Sequence, residues 1–312
     1  MLRIIALGIM AGSLAACTDA GLEPQEGYVD VEGGKVWFQV VGSGKATPLL
    51  LLHGGPGAPS YYLKPLERVA ADRPVIFYDQ LGAGRSPAPD DQSLWTIERF
   101  VDELDQVRTA LELDEVHILG HSWGSMLAMD YMLTEPEGVV SVIFASPALN
   151  VTRWTEDAKE LLKALPDDTR AVIEHHEDES TTDAPEYQEA VMEFYRMYLS
   201  RSDPWPPELV ATFEGFNTEL YGYMWGPSEF TATGTLRNYN REPDLPKLDL
   251  PVLFTAGRYD EATPGTVQHF QSLVPGAEIQ FFEKSAHLTM LDEPDTYAEA
   301  IRSFLNNADK SH

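Results

Sequence analysis

Cysteine is almost missing: the 312 residues hold one, Cys17, so no intrachain disulfide can form. Positive charge is scarce too. Twenty-two Lys and Arg stand against 50 Asp and Glu, a formal net charge of −28. No tract is basic enough to grip a phosphate backbone or an anionic lipid surface, which excludes nucleic acid as a partner. The apolar run from Ile4 in "MLRIIALGIMAGSLAAC" falls short of the ~20 residues a spanning helix needs. Internal repeats and low-complexity tracts are absent as well. What remains is 43% hydrophobic and 23% charged, a composition that suits a globular, enzyme-sized chain with one large core or two lobes.

One positive charge (Arg3), a short apolar run and small residues read as a secretory signal. The ending Leu14-Ala15-Ala16-Cys17 resembles the bacterial lipobox. The expectation is therefore a leader over 1–16 and a lipid-anchored Cys17, with the protein held on a membrane facing the periplasm or cell exterior. Residues 17–27 are expected to be a tether.

Along the rest of the chain, "YVDVEGGKVWFQVVG" (28–42) alternates around Gly33-Gly34, a hairpin signal. "PLLLLH" (48–53), "PVIFYD" (74–79), "EVHILG" (115–120) and "VVSVIFAS" (139–146) are short apolar runs between turn residues, as strands buried on both faces should be. Ile97, Phe100, Val101, Leu104, Val107 and Leu111 recur at helical spacing, and a second helix is expected from about Trp123 to Leu133. The alternation predicts a mostly parallel sheet flanked by helices. Residues 150–245 turn acidic and aromatic without buried-strand runs, then "PVLFTAG" (251–257) and "EIQFF" (278–282) restore the pattern, before a last helix near 294–306. The predicted organisation is an α/β core over 28–149 and 246–308, interrupted by a helical cap over 150–245. No metal site is assigned. His175 and His176 are adjacent and point different ways on a helix, unlike a ligand pair.

Gly120-His121-Ser122-Trp123-Gly124 matches G-x-S-x-G, with a buried strand before it and a helix after it. A serine at such a corner sits in strained backbone that small neighbours permit, and the helix N-terminus presents free N–H groups to developing negative charge. A hydroxyl needs a base, and the base needs an orienting acid. Asp260, past the strand ending at Gly257, and His287, past the strand ending at Phe282, follow in the order serine, acid, histidine. Glu261 is the alternative acid. An oxyanion hole needs two converging donors: Trp123 N–H for one, and for the other Gly55, or else Gly54, in "HGGPG" (53–57). His53 reads as a brace of that loop.

"HGGPG", "YDQLGAGRS" (78–86), "GHSWGS", "YMWGPSEF" (223–230), "GRYDEATP" and "SAHLTMLDEP" together resemble the prolyl iminopeptidase family of α/β-hydrolases, over residues 27–306. "GPSEF" points to the branch with tricorn-associated aminopeptidases and amino-acid amidases. The resemblance implies an α/β-hydrolase fold with a cap, the triad Ser122, Asp260 and His287, no cofactor, and release of an N-terminal residue, often proline, from a small peptide or aminoacyl amide. A free ammonium in a closed pocket needs an anionic partner. In relatives cap glutamates fill that role, which implies Glu229 in "GPSEF" and a second from residues 187–201, Glu189 first and Glu193 as the alternative. Tyr221, Tyr223 and Trp225 are candidates to wall a proline pocket. The rival readings are an amidase or esterase indifferent to a free amine, and a peptide-binding surface lipoprotein without activity.

Overall fold

The computed structural model describes residues 21–312. Eight strands form one sheet: β1 (Gln25–Val31), β2 (Gly34–Val41), β3 (Leu49–Leu52), β4 (Val75–Asp79), β5 (Val116–His121), β6 (Val139–Ala145), β7 (Val252–Gly257) and β8 (Glu278–Phe282). Their spatial order is β1-β2-β4-β3-β5-β6-β7-β8. β1/β2 and β2/β4 pair antiparallel and every other neighbour pair is parallel. The β1–β2 hairpin turns at Gly33, whose φ of +86° few side chains tolerate. β1 begins at Gln25, inside the stretch expected to be a tether, because Gln25 pairs with Val40 and the Leu22 N–H reaches the Gly44 carbonyl at 2.9 Å.

Helices α1 (Ile97–Ala110), α2 (Trp123–Met132), α3 (Val151–Leu162), α4 (Asp167–Asp178), α5 (Pro185–Tyr198), α6 (Pro207–Glu214), α7 (Thr218–Met224), α8 (Pro264–Ser272), α9 (Thr289–Asp292) and α10 (Pro294–Ser311) complete the framework. β3, β4 and β5 are buried at every position because both faces are covered, which is why their sequences read as unbroken apolar runs. Alternate residues feed two cores. Leu50, Leu52, Ile76, Ile118 and Phe254 pack against Leu104, Met126 and Val267 on one face. Leu49, Leu51, Val75, Leu119 and Leu253 pack against Leu66, Ile301 and Leu305 on the other. The five helices α3–α7 lie between β6 and β7 in the chain; a separate small core of Leu162, Ile173, Tyr187, Phe194 and Phe230 joins α3, α4 and α5, while Leu209 of α6 and Leu220 and Met224 of α7 pack into the two main cores.

Chain order reverses between β3 and β5: β4 lies on one side of β3 and β5 on the other. In open sheets of this kind the crevice at the carboxyl ends of such a strand pair is where ligands sit. Residues 53–57 leave β3 there, and Ser122 leaves β5 there.

Candidate active site

Ser122 occupies the corner between β5 and α2 with φ 54° and ψ −120°, a region that non-glycine residues rarely adopt. The turn is tight because both glycines of the motif touch backbone. A Cβ on Gly120 would lie 2.2 Å from the Gly124 carbonyl oxygen, and one on Gly124 would lie 2.1 Å from the Leu52 oxygen. The Ser122 N–H donates to the Ala145 carbonyl at 3.0 Å, and its own carbonyl accepts from the Ser125 N–H at 2.9 Å. These bonds hold the strained residue from both sides.

Asp260 and His287 leave the carboxyl ends of β7 and β8 and meet: His287 Nδ1 lies 2.8 Å from Asp260 Oδ1. The carboxylate accepts three more bonds, from the Ala262 N–H (2.8 Å), the Ser146 hydroxyl (2.6 Å) and the Gly257 N–H (3.2 Å). A carboxylate can only accept, so the imidazole proton sits on Nδ1 and the Nε2 lone pair is available. Nε2 has Glu261 Oε1 at 3.8 Å. Glu261 therefore stands on the opposite edge of the ring from the one an orienting acid must grip. The base loop is also tied to the end of α5: the His287 N–H donates to the Tyr198 carbonyl at 3.0 Å and the Leu288 N–H to Leu199 at 2.8 Å.

Ser122 and His287 line one cavity of about 460 Å³, together with Gly54, Gly55, Glu229 and Glu261. Trp123 is the first residue of α2, so its N–H has no acceptor within the helix. The Gly54 N–H is taken by the Tyr62 hydroxyl at 2.7 Å, whereas the Gly55 N–H has no such bond among the described residues, which favours Gly55 of the two glycines. Gly55 has φ +108°, and a Cβ there would press within 2.6 Å of the Ala58 and Gly57 nitrogens. The same Tyr62 oxygen lies 2.8 Å from His121 Nδ1, and His121 Nε2 lies 3.0 Å from the His287 carbonyl. A carbonyl cannot donate, so His121 carries its proton on Nε2 and accepts from Tyr62. Burial, followed by the nearby His287, drives the His121 pKa well down and keeps this ring neutral.

Three carboxyl residues line the cavity: Asp183, which is exposed, and the less accessible Glu229 and Glu261. Glu229 is partly buried, and accepts from the Tyr221 hydroxyl at 2.7 Å and the Trp154 indole N–H at 3.2 Å. Glu261 is buried, and its Oε2 has no partner among the described residues. Desolvation pushes both carboxyls above the ordinary glutamate value, and Glu229 and Asp260 push Glu261 further.

Three expectations are corrected. Glu189 is exposed and absent from the cavity wall. Glu193 is exposed and accepts from the Thr169 hydroxyl at 2.9 Å. On α5 the cavity is lined by Tyr187, Gln188, Val191 and Tyr195, and Glu189 and Glu193, two positions beyond Tyr187 and Val191, point about 200° around the axis from them. A buried carboxyl that does line the cavity is Glu261, weighed from sequence only as an alternative triad acid; the available signal was its place beside Asp260, where the strand ends gather. Of the three aromatics expected around the pocket, Tyr221 lines it. Tyr223 packs on Trp95, with centroids 5.8 Å apart, and Trp225 is buried against Trp154.

The alpha/beta hydrolase fold family matches residues 47–294. The proline iminopeptidase of Heyndrickxia coagulans is 48% identical over 284 residues, covering 90% of this chain and 99% of that protein. Among solved structures, VinJ is 34% identical with a TM-score of 0.88 over 92% of this chain and 100% of VinJ. The proline iminopeptidase of Mycobacterium smegmatis is 35% identical with a TM-score of 0.84 over 92% and 99%. These likenesses overturn the expectation of an exported, lipid-anchored protein. Alignments that take in 99–100% of the relatives account for 90–92% of this chain, so the likeness lies in the enzyme and lends the leader and anchor no support. Among the described residues no helix is long and apolar enough to cross a membrane. Residues 1–16 and Cys17, on which the expectation rested, lie outside the described residues.

Proposed function

The chain belongs to the proline iminopeptidase family of α/β-hydrolases, and from that premise we propose that Ser122, His287 and Asp260 are the triad of an aminopeptidase that releases N-terminal proline from peptides. His287 Nε2 takes the Ser122 proton as Oγ attacks the carbonyl carbon. The Gly55 and Trp123 N–H groups receive the oxyanion. As the C–N bond breaks, His287 returns the proton to the departing amine. Water then attacks the acyl ester, giving its proton to His287, and proline leaves with Ser122 restored. Asp260 holds Nδ1–H throughout and opposes the imidazolium charge.

Glu229 and Glu261 select the free amino end. A prolyl ammonium carries two N–H donors, and two carboxyls facing one cavity can take one each. The observation that carries this reading is Glu261 Oε2, a buried oxygen without a partner in the cavity that holds Ser122 and His287. Burying it unpaired is costly unless a ligand completes it. On this reading residues 150–245 are the cap that closes over the amino end, and the occupant is a small peptide or aminoacyl amide.

The test compares prolyl p-nitroanilide with its N-acetyl form. Acetylation removes the ammonium and leaves the carboxyls uncompensated, at ~3 kcal/mol or more, so kcat/KM should fall by about 10²-fold or further. Equal rates would overturn the aminopeptidase reading in favour of an amidase or esterase. Labelling of Ser122 by a fluorophosphonate, lost in Ser122→Ala, separates an enzyme from a peptide-binding protein.

A further inference from the structure

One buried amide links the loop after β3 to the Trp123 side chain. β4 lies beside β3 in the sheet, so Gln80, the residue after β4, emerges next to His53, the residue after β3. The Gln80 side-chain N–H donates to the His53 carbonyl at 3.1 Å. Its Oε1 accepts from the Trp123 indole N–H at 2.8 Å. Its backbone N–H lies 2.9 Å from His53 Nε2.

That last contact settles the His53 tautomer. A backbone N–H can only donate, so Nε2 accepts and the ring proton sits on Nδ1, which lies 3.0 Å from the Gly54 carbonyl and donates to it. Burial lowers the His53 pKa, which keeps the ring neutral and this arrangement in place.

The Gly54 carbonyl and the Gly55 N–H belong to one planar, trans peptide unit, so they point in opposite directions. Gripping the oxygen on one side aims the N–H on the other. Glycines on both sides of this unit impose no steric limit on its rotation, and the imidazole supplies the restraint that absent side chains cannot.

Resting on the triad and oxyanion assignments above, we infer that His53 and Gln80 are positioning residues for the oxyanion step: His53 sets the aim of the Gly55 N–H, and Gln80 locks His53 and Trp123 into one frame. They touch neither substrate nor reacting atoms. Preorganised donors are effective because they need no reorientation as charge develops, and this frame provides the preorganisation.

The experiment uses the full chain, with His53→Ala and Gln80→Met, and rates per active site counted by endpoint fluorophosphonate labelling. Gln80→Met keeps the volume while removing the two side-chain bonds. Four quantities are read: kcat and KM for prolyl p-nitroanilide, and the affinities for prolinal and for pyrrolidine. Prolinal forms a hemiacetal with Ser122 whose oxygen enters the oxyanion hole, whereas pyrrolidine carries ring and amine without a carbonyl. Deleting an oxyanion donor costs ~10²–10³ in turnover, so misaiming one should cost about 10–10²-fold in kcat. KM should stay within about twofold, because the lost interaction exists in the transition state alone. Prolinal affinity should fall by the same factor as kcat, and pyrrolidine affinity should hold. Wild-type kcat per active site in soluble Gln80→Met overturns the inference, as does a parallel fall in prolinal and pyrrolidine affinity, which a merely structural role would produce. Wild-type protein that neither turns over the anilide nor labels at Ser122 overturns the hydrolase reading itself, and this inference with it.

Discussion

Replacing Asp260 by asparagine should lower kcat by about 10³–10⁴ while leaving KM nearly unchanged. The carboxylate accepts two bonds at each oxygen: His287 Nδ1 and the Ala262 N–H at Oδ1, the Ser146 hydroxyl and the Gly257 N–H at Oδ2. An amide has one oxygen to offer. With its NH₂ in the Oδ1 position it opposes the Ala262 N–H across 2.8 Å and presents a donor to His287. The ring proton then moves to Nε2, where it blocks uptake of the Ser122 proton. With its NH₂ in the Oδ2 position it opposes the Gly257 N–H across 3.2 Å and keeps the tautomer, but no charge faces the imidazolium. That attraction is worth roughly 5 kcal/mol at an effective dielectric of ~20, or between three and four decades in rate. Both orientations thus arrive at a similar loss by different routes. The mismatched donor adds ~1–3 kcal/mol to folding, a few degrees of Tm at most. Steady-state kinetics on prolyl p-nitroanilide, per labelled active site, with thermal unfolding followed in parallel, measures both. A kcat within about tenfold of wild type, with Glu261→Gln losing more than Asp260→Asn, would refute the assignment and move the triad acid to Glu261.

Glu229→Gln should raise KM for prolyl p-nitroanilide by about 10–10²-fold through loss of a charge-assisted bond, with Glu189→Gln kinetically silent; equal effects of the two would refute the cavity assignment. Because burial raises both Glu229 and Glu261 above 4.5, protonation that destroys the cation site begins at higher pH than for an exposed glutamate, and pyrrolidine affinity should fall as pH drops through those raised values. In Glu229→Gln the neighbouring charge that helps raise Glu261 is gone, so the loss should move to lower pH, and superimposable profiles would refute the coupling. Gly124→Ala places a Cβ 2.1 Å from the Leu52 carbonyl oxygen, a backbone clash that no rotamer relieves. It should abolish Ser122 labelling and lower Tm, and a wild-type melting curve would show that the elbow is looser than its geometry implies.

Much of the site was legible in the chain because its signals are local. Ser122 needs a strand before it, a helix after it and glycines beside it, all within ten residues. Asp260 follows the buried β7 and His287 the edge strand β8, and a parallel sheet gathers its carboxyl ends on one edge, so order along the chain translated into proximity. His53 as a brace was readable from the same logic. The second carboxyl of the proposed amino-end site was not. Residues 187–201 offered two glutamates, Glu189 and Glu193, and the sequence could not say which face of α5 looks inward until Tyr187, Gln188, Val191 and Tyr195 were seen to line the cavity.

By itself the sequence determined the alternating strand and helix order, the serine corner, the acid and base that follow it, and the glycines that let backbone approach a carbonyl. These depend on neighbours a few residues apart, whose sterics and hydrophobic period act wherever the chain goes. Tertiary structure alone decided that Glu261 faces the cavity on the Nε2 edge of the imidazole, that Glu189 points to water, and that Gln80 joins His53 to Trp123. Those outcomes turn on which side of a ring, a helix or a peptide plane a partner from a distant segment occupies, and no local signal carries that information.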